Sequence, residues 1–526
     1  MNCGGGDEVD RPAWIDGPEP GPEDTARVYP QGVASGDPRP DGVLVWTRVE
    51  PEGDAPITVE YVISEDAEFQ AIVVADAVDA QAADDFTLRV RIAGLESGRR
   101  YWYRFYARGV LSPAGRTTTA PAADADVPVR FAVASCQDYL GRYYHAWRAL
   151  VEQADELDFV LFLGDYIYEY TRCPELQEPT PERRVELPDG LVIDESEGIV
   201  AARTLADYRA IYKKVRSDPD LQEIHRLVPF VVIWDDHEHA NDAWGDHSVD
   251  FDGVRGDEQD TARREAATRA WFEHLPVDVA YDAAAGFPDD IVVWRKLRWG
   301  LRLERVLTDQ RYYRDDHLIP EGPADPEVGK FLTNSPLGSR TFVIKDPFDA
   351  REAAAAPTML GAPQRDWLIS RLRASDARWK LWGSALMVAQ IALDLRDVEG
   401  VPPTFQNTYY FKTDQWDGFR SERAQILAAL ADVENVVVLS GDLHGFYAAE
   451  LRADPTIPVR SRSRSSSRSR GSARSRWSNR SPRSSRPTPC SRRPGWARSY
   501  RCSTRSCKRP VRTSCTRRAT ATARRW

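Results

Sequence analysis

The chain has 526 residues, of which 42% are hydrophobic, with 16 Trp, 20 Tyr and 17 Phe, so it can build more than one folded domain. No apolar run approaches the roughly 18 residues that a membrane-spanning helix needs. The formal net charge of −11 combines an acidic body with a basic tail, residues 460–526, which holds 22 Lys and Arg and no Asp or Glu. An acidic body is typical of a well-solvated surface, and also of exported or cation-binding proteins.

Seven cysteines are spread over the chain without CxxC pairs or zinc-finger spacing, so neither a disulfide framework nor a structural zinc site is predicted. One of them, Cys3, lies in the opening stretch MNCGGGD. This stretch resembles the mature end of a bacterial lipoprotein, in which a lipidated cysteine precedes a flexible tether. The alternative is a disordered terminus with an incidental cysteine. We therefore expect residues 1–27 to be an N-terminal tether, with a lipid anchor at Cys3 under the first interpretation.

Residues 28–120 contain short alternating stretches separated by Gly, Pro, Asp and Ser, a pattern that predicts a β-sandwich. The stretches are GVLVWTRV from Gly42, ITVEYVI from Ile57, FTLRVRI from Phe86 and YWYRFYA from Tyr101. The segment LESGRRYWYRFYARG resembles a fibronectin type III pattern, in which a leucine and a glycine turn introduce a Tyr-rich strand. The Pro/Ala/Asp-rich stretch at 117–127 then predicts a domain boundary.

From residue 128 to 459 strands alternate with helix-like segments, which predicts βαβ units and an α/β domain. Residues 173–205 are rich in Pro, Glu and Arg and predict an excursion over the surface. The expected helices are YYHAWRALVEQA from Tyr143, 206–217, 257–274 and 357–374, and the further expected strands are VRFAVA before Cys136, Leu301–Thr308 and Trp379–Trp382.

Three hydrophobic runs in this domain each end in acidic residues. The run LDFVLFLGDYIYEY places Asp165 after a strand, VVVLS leads into Asp442 and His444, and PFVVIW leads into WDDHEHAND. Ligands of open α/β sheets gather at the carboxyl ends of strands, so these side chains are expected to meet at one sheet edge. The candidate residues are Cys136, Asp165, Tyr168, Asp236, His237, Asn241, Asp442 and His444.

Oxygen donors combined with imidazole suit iron, manganese, calcium or magnesium better than a closed zinc site. Two metals that share a carboxylate lower the pKa of bound water and hold a phosphoryl group during displacement, and Asp165 is the best candidate for the shared ligand. His237 could protonate a leaving oxygen or bind transition-state charge, or could simply orient a neighbouring acid. Cys136 could be a ligand or a small buried hydrophobe.

A set of successive motifs spanning roughly residues 28–451 resembles the PhoD-type alkaline phosphatases of the calcineurin-like metallophosphatase superfamily. The motifs are GVASGDP, VLVWTRV, FAVASCQDY, LGDYIYEY, WDDHEHAND, LTDQRYYR, MLGAPQRDWL and SGDLHGFYAAEL. The resemblance implies a multidomain β plus α/β fold: a fibronectin III-like β-sandwich (28–120) followed by a metallophosphatase α/β/β/α sandwich (128–459). It also implies hydrolysis of phosphate monoesters, and also of diesters, by a metal-activated water at a multinuclear Fe³⁺ and Ca²⁺ centre outside the cytoplasm.

Carried over by motif, the resemblance assigns iron to Cys136, Asp165, Tyr168 and His444, and calcium to Asp165, Asn241 and Asp442. It further assigns Asp236 to the metals and catalytic roles to Asp165, His237, Asn241 and Arg311. The general metallophosphatase signature has Asp-x-His and Asn-His-Glu where this chain has Ser-Cys-Gln and Asp-His-Glu, which is the PhoD-type form.

The tail from about Arg460 contains no Leu, Ile, Phe or Met and cannot build a core. We interpret residues 460–526 as disordered or as a frameshift product, because the family resemblance would continue into more sheet and a helix. A natural basic tail that binds nucleic acid through phosphates is the alternative. We expect no nucleic-acid partner, a monomer, phosphate ester substrates and an exported protein. The competing functions are a phospholipase D-like phosphodiesterase and a non-enzymatic calcium-binding surface protein.

Overall fold

The computed structural model of the chain describes residues 9–141, 143–172, 179–248, 259–319 and 340–453. The expected lipid anchor at Cys3 and the expected tail at 460–526 lie outside these ranges. The chain divides into two units, Met1–Pro458 and Val459–Trp526, and every described residue belongs to the first. Among the helices of the described ranges, none combines the length and the apolar character that crossing a membrane requires.

The strands are β1 (Val33–Arg39), β2 (Gly42–Arg48), β3 (Ile57–Ser64), β4 (Ile72–Ala80), β5 (Thr87–Ala93), β6 (Arg100–Ala107), β7 (Val110–Leu111), β8 (Gly115–Thr118), β9 (Phe131–Ala134), β10 (Phe159–Leu163), β11 (Leu191–Asp194), β12 (Ile199–Ala201), β13 (Phe230–Ile233), β14 (Arg295–Trp299), β15 (Leu303–Leu307), β16 (Thr341–Ile344), β17 (Trp379–Ser384), β18 (Ala392–Asp394), β19 (Thr408–Lys412) and β20 (Val436–Ser440). The helices are α1 (Pro22–Val28), α2 (His145–Val151), α3 (Leu205–Val215), α4 (Pro219–Leu227), α5 (Thr261–His274), α6 (Lys345–Ala355), α7 (Gly361–Ala374) and α8 (Arg420–Ala429).

The N-terminal strands form two sheets that share one core. One sheet has the order β4-β3-β6-β7, with β8 also paired to β6, and β1, β2 and β5 form part of the other. Alternate side chains of β2 and β5 pack against alternate side chains of β3 and β6, which explains the period-two hydrophobic pattern in the sequence. Part of the expected tether also packs here, because the Trp14 ring stacks on Tyr106 at 5.1 Å between centroids and Ile15 is buried.

A single sheet links the N-terminal strands to those that follow. Its order is β5-β2-β1-β13-β10-β9, and β1 pairs in parallel with β13 at Gly36 and Phe230. A Cβ at Gly36 would lie 1.8 Å from the carbonyl oxygen of Pro276, so this close approach of backbones requires glycine. The glycine of the SGDP motif is therefore required where β1 pairs with β13, because a side chain would not fit there.

Two sheets face each other in the second half of the described chain. Side chains of β10 and β13 pack against those of β14, β15 and β17, which belong to a sheet of order β14-β15-β17-β20. Helices α2, α3, α4 and α5 contribute to a core with the outer face of β10 and β13. Helices α7 and α8 contribute to a core with β15 and β17. A multidomain β plus α/β fold, as expected from the sequence, is therefore present.

Helix α4 was not expected from the sequence, although its start carries a clear signal. Asp218 accepts hydrogen bonds from the backbone N–H groups of Asp220 and Leu221, and Pro219 occupies the first helical turn. Its buried face carries Leu221, Ile224 and His225. The helix packs against α2, so it completes the layer that covers β10 and β13.

Candidate functional site

The candidate residues follow strands that run in parallel, so their loops meet at one edge of the facing sheets. Strands β9, β10 and β13 are parallel to one another, as are β15, β17 and β20. Cys136, Asp165 and Asp442 each come within two residues of a strand end and adopt positive φ angles of 56°, 57° and 59°. Non-glycine residues rarely adopt this left-handed conformation, and such strain is concentrated at functional sites.

Glu238 holds two of these loops together. Its carboxylate accepts hydrogen bonds from the backbone N–H groups of Asp165 (3.0 Å), Tyr166 (2.6 Å) and Asp235 (2.8 Å). Burial raises the pKa of Glu238 to about 7, against the lowering effect of these backbone bonds. Sequence reasoning did not assign Glu238 a role, although its place in the Asp-His-Glu motif was a signal that it belonged to the site.

One donor group consists of Cys136, Asp165 and His444, whose ligand atoms all lie within 4.8 Å of one another. The Tyr168 hydroxyl lies 3.1 Å from Nε2 of His444 and 3.5 Å from Oδ2 of Asp165. Burial, and then the Asp165 carboxylate, raise the pKa values of the Cys136 thiol and the Tyr168 phenol. All four residues to which the resemblance assigns iron therefore lie together.

A second and a third group share residues with the first. Asp165, Asp236 and His237 form one, and Asp235, Asp236 and Asp442 form the other, each with ligand atoms within 4.8 Å. Asp165 thus belongs to two donor groups at once. Burial, followed by the repulsion of neighbouring carboxylates, raises the pKa of Asp165 well above its ordinary value.

The donor set fits bound cations for a physical reason. Oδ1 of Asp165 and Oδ2 of Asp235 are buried and have no hydrogen-bond partner among the described residues. Unpaired carboxylate oxygens are costly to bury, and a cation that binds them removes that cost. Carboxylates with imidazole, phenol and thiol donors suit a hard or borderline metal ion.

His237 lies beside these carboxylates and is held by Glu169. Its Nδ1 lies 2.7 Å from Oε2 of Glu169, and the other carboxylate oxygen of Glu169 accepts a hydrogen bond from the backbone N–H of Asn241 at 2.7 Å. Burial alone would lower the pKa of His237, but the carboxylates of Glu169 and Asp236 keep it well above the ordinary value. Glu169, a fully buried residue of the LGDYIYEY motif, was not among the residues expected from the sequence.

Arg311 spans the acidic residues. Its guanidinium lies 2.5 Å from Asp235, 3.2 Å from Asp414, 3.5 Å from Asp236 and 3.9 Å from Asp442. Its loop follows β15 and is fixed by Asp309, whose carboxylate accepts hydrogen bonds from the backbone N–H groups of Arg311 (2.8 Å) and Tyr312 (3.1 Å).

A neighbouring group of Asp242, His317 and Asp414 also has its ligand atoms within 4.8 Å of one another. Here cationic side chains already pair with the acids. Asp414 lies 2.9 Å from Arg314 and 2.7 Å from Nε2 of His317, while Nζ of Lys412 lies 3.2 Å from Asp242. The sequence had not indicated His317, Lys412 or Asp414, because they lie after β15 and at or after the end of β19, in stretches without a recognised motif.

The chain matches known proteins of one family in sequence and in structure. Residues 131–470 match the family model described as PhoD-like phosphatase, and residues 18–121 match the model of the PhoD-like phosphatase N-terminal domain. The chain is 31% identical over 445 residues to alkaline phosphatase D of Bacillus subtilis (strain 168), which covers 82% of this chain and 67% of that protein. A solved structure of PhoD is 29% identical, with a TM-score of 0.62, and covers 80% of this chain and 72% of that one.

Proposed function

The chain belongs to the PhoD-like phosphatase family and is a phosphoric ester hydrolase. We propose that the residues around Asp165, at the ends of the parallel strands, form its metal-dependent active site. The observation that carries the proposal is the buried, unpaired oxygen of Asp165 at the place where two donor groups meet. Phosphate monoesters, and also diesters, are the proposed substrates. The cell surface or another exported location is the proposed site of action.

We assign a ferric ion to Cys136, Asp165, Tyr168 and His444. Calcium is assigned to Asp165, Asn241 and Asp442, with Asp236 beside them. Metal ions bound there would lower the pKa of water and neutralise phosphate charge. The assignment is supported by the geometry, because the ligand atoms of Cys136, Asp165 and His444 lie within 4.8 Å of one another and the Tyr168 hydroxyl lies 3.1 Å from His444 and 3.5 Å from Asp165.

Two side chains act on the ester itself in this proposal. His237 is held by Glu169, whose carboxylate lies 2.7 Å from its Nδ1, and the Glu169 and Asp236 carboxylates raise its pKa against the effect of burial, so we assign it the role of donating a proton to the leaving oxygen. Arg311 places positive charge beside Asp235 and Asp236, where it can orient a phosphoryl group. Asn241 contributes through its side-chain oxygen, which suits calcium.

The domain division is also proposed here. A fibronectin III-like region at 28–120 is proposed to precede the metallophosphatase region at 128–459. The packing of two facing sheets between helical layers supports the proposal of a four-layer architecture for the latter. The role of the N-terminal strands is to support β13, which they join through β1. The protein is proposed to act as a monomer.

The test is metal removal and return, measured on a chromogenic phosphate ester. Chelation should abolish turnover, and Fe³⁺ with Ca²⁺ should restore it, with metal content followed by elemental analysis. A ferric ion bound by a tyrosine should also give a visible absorption band that Tyr168→Phe loses. Full turnover by protein that contains no metal would refute the proposed centre.

A further inference from the structure

A cavity of about 660 Å³ opens beside the proposed iron ligands. Three of those ligands, Cys136, Tyr168 and His444, form part of its wall. The rest of the wall comes mainly from β9 and α2, through Val133, Ala134, Ala146, Trp147 and Leu150, and from Leu443. A group attached to a phosphate at the metal centre would therefore reach this cavity directly.

The aromatic residues that line the cavity already use their polar atoms elsewhere in the protein. Trp147 donates to the side-chain oxygen of Gln137 at 3.0 Å, and the Tyr144 hydroxyl donates to the backbone oxygen of Gln137 at 3.2 Å. The Tyr143 hydroxyl donates to Glu182 at 2.6 Å. Gln137 in turn donates its amide to the backbone oxygen of Tyr166 at 2.8 Å. These bonds leave mainly ring faces and aliphatic carbon for a ligand in the cavity.

The charges of the residues that line the cavity also favour an uncharged ligand group. Among the described residues that line the cavity there is no Lys or Arg, and Asp138 is the one carboxylate. An anionic substituent would lie near the Asp138 carboxylate, which disfavours a second phosphate or a carboxylate. An uncharged apolar group instead loses water-exposed surface on entering.

We propose that this cavity binds the alcohol part of the ester and gives the enzyme a preference for apolar aliphatic or aromatic alcohols. The inference rests on the proposed active site, because it needs the phosphate to bind at Cys136, Asp165, Tyr168 and His444. Ala146 and Leu150 on α2 and Ala134 on β9 then determine how large a group fits.

The experiment compares ethyl phosphate with n-hexyl phosphate, whose alcohols are of similar acidity, so that the leaving groups are matched. With the metal-loaded enzyme, kcat/KM should be at least about tenfold higher for the hexyl ester, since even one methylene in an apolar pocket changes specificity by roughly that factor. Equal kcat/KM values for the two esters would overturn the inference while leaving the proposed active site standing. Failure to hydrolyse either ester would overturn both.

Filling the cavity provides the second arm. Ala146→Phe should bring the hexyl-to-ethyl ratio close to one, and Leu150→Trp should do the same from the next turn of α2. Ala149→Phe is the matched control, because Ala149 is exposed on the same helix and does not line the cavity, and it should keep the wild-type ratio. Thermal melting confirms that each variant is folded. A hexyl preference that survives in folded Ala146→Phe and Leu150→Trp would refute the assignment of the cavity.

Discussion

Asp165 and Asp414 are two buried aspartates in adjoining parts of the site, with 1% and 0% of their surfaces exposed, and their environments are opposite. Burial raises the pKa of Asp165 well above its ordinary value, with the carboxylates of Asp236, Glu238 and Asp442 adding to the shift. Burial opposes ionisation of Asp414 as well, but Arg311, Arg314 and Lys412 hold its pKa well below the ordinary range. Equal burial therefore produces opposite charge behaviour.

The difference lies in where the positive charge comes from. Around Asp414 the protein supplies it from side chains at 2.9 to 3.8 Å, so that region is complete as folded. Around Asp165, His237 is the cationic side chain that acts most strongly, and acids outnumber it. We expect the Asp165 region to obtain positive charge from a bound metal ion, whereas the Asp414 region fixes the position of Arg311.

The largest expected effect is the loss of turnover in Asp165→Asn. The change removes a carboxylate shared by two donor groups, so kcat/KM for a chromogenic ester should fall at least ~1,000-fold, equivalent to about 4 kcal/mol. Steady-state kinetics and metal analysis measure it. Asp158→Asn is the control, since Asp158 precedes the same strand at its opposite end, and turnover there should stay within about twofold. Unchanged kinetics in Asp165→Asn would remove Asp165 from the active site.

The second effect is on stability and concerns Asp414→Asn. Removing this carboxylate leaves the buried Arg311 and Arg314 and the half-buried Lys412 without their shared partner. Losing one partner of a buried ion pair costs about 3–5 kcal/mol, so the free energy of unfolding in urea should fall by that amount. The metal-free protein should be used, so that metal binding does not contribute. A stability equal to that of the wild type would show that the paired network contributes no net free energy.

The third prediction is a change in the free energy of unfolding opposite in sign to that expected for Asp414→Asn. In metal-free protein, Asp165→Asn should raise the free energy of unfolding by about 1 kcal/mol, because it removes a buried acid that its neighbours repel. Adding metal should reverse the ranking, since only the wild type then gains binding free energy. Denaturant titrations with and without metal measure both. If both aspartate variants were destabilised equally without metal, the contrast between the two regions would be wrong.

The Asp165 side of the site could be predicted from the sequence, because its acids follow hydrophobic strands that are recognisable in the sequence. Strands β10, β13 and β20 are short hydrophobic runs that each end two residues before an acid, and parallel strands bring their carboxyl ends to one edge. Cys136, Asp165, Tyr168, Asp236, His237, Asp442, His444 and Arg311 do lie together, while their roles in metal binding and catalysis stay predictions. The strands of the N-terminal region could also be predicted from the sequence, since β2, β3, β5 and β6 begin within one residue of the expected positions.

The Asp414 side was not predictable in the same way. Asp414 meets Arg311 and Arg314 across about 100 residues of chain, and nothing local in β19 indicates that pairing. Lys412, at the end of β19 in the small sheet β16-β19-β18, lies 3.2 Å from Asp242, which is 170 residues earlier in the chain. Glu169 was missed for another reason: its partners are His237 and a backbone N–H group, which the residue pattern does not display. Glu238 lies in the Asp-His-Glu motif, but its bonds to backbone N–H groups could not be predicted from that motif.

The smallest expected effect concerns His225, which extends the comparison to a buried base. His225 stacks on Phe230 with 3.8 Å between centroids, and its Nε2 lies 2.8 Å from the hydroxyl of Tyr166, the residue after Asp165. Burial, and then the Arg216 charge, hold the pKa of His225 well below its ordinary value of 6.5. His225 therefore remains neutral in the folded protein at a pH where the unfolded chain binds a proton.

The sign follows from that difference in proton binding. Above about pH 6.5 neither state protonates His225, so its contribution to stability is fully present. As the pH falls below 6.5, the unfolded state gains a proton that the folded state does not, and the free energy of unfolding should fall by up to about 1.4 kcal/mol per pH unit from this group. His225→Phe should be less stable at pH 8, because the Tyr166 hydroxyl loses its histidine partner and keeps only Arg216, yet should lose less stability between pH 6.5 and 5 than the wild type. Urea unfolding of metal-free protein at both ends of that range measures the difference. If the stability of the two proteins changed with pH in the same way, His225 would be protonated in the folded state. Neighbouring charges would then not decide the protonation of this buried base as they decide it for Asp165 and Asp414.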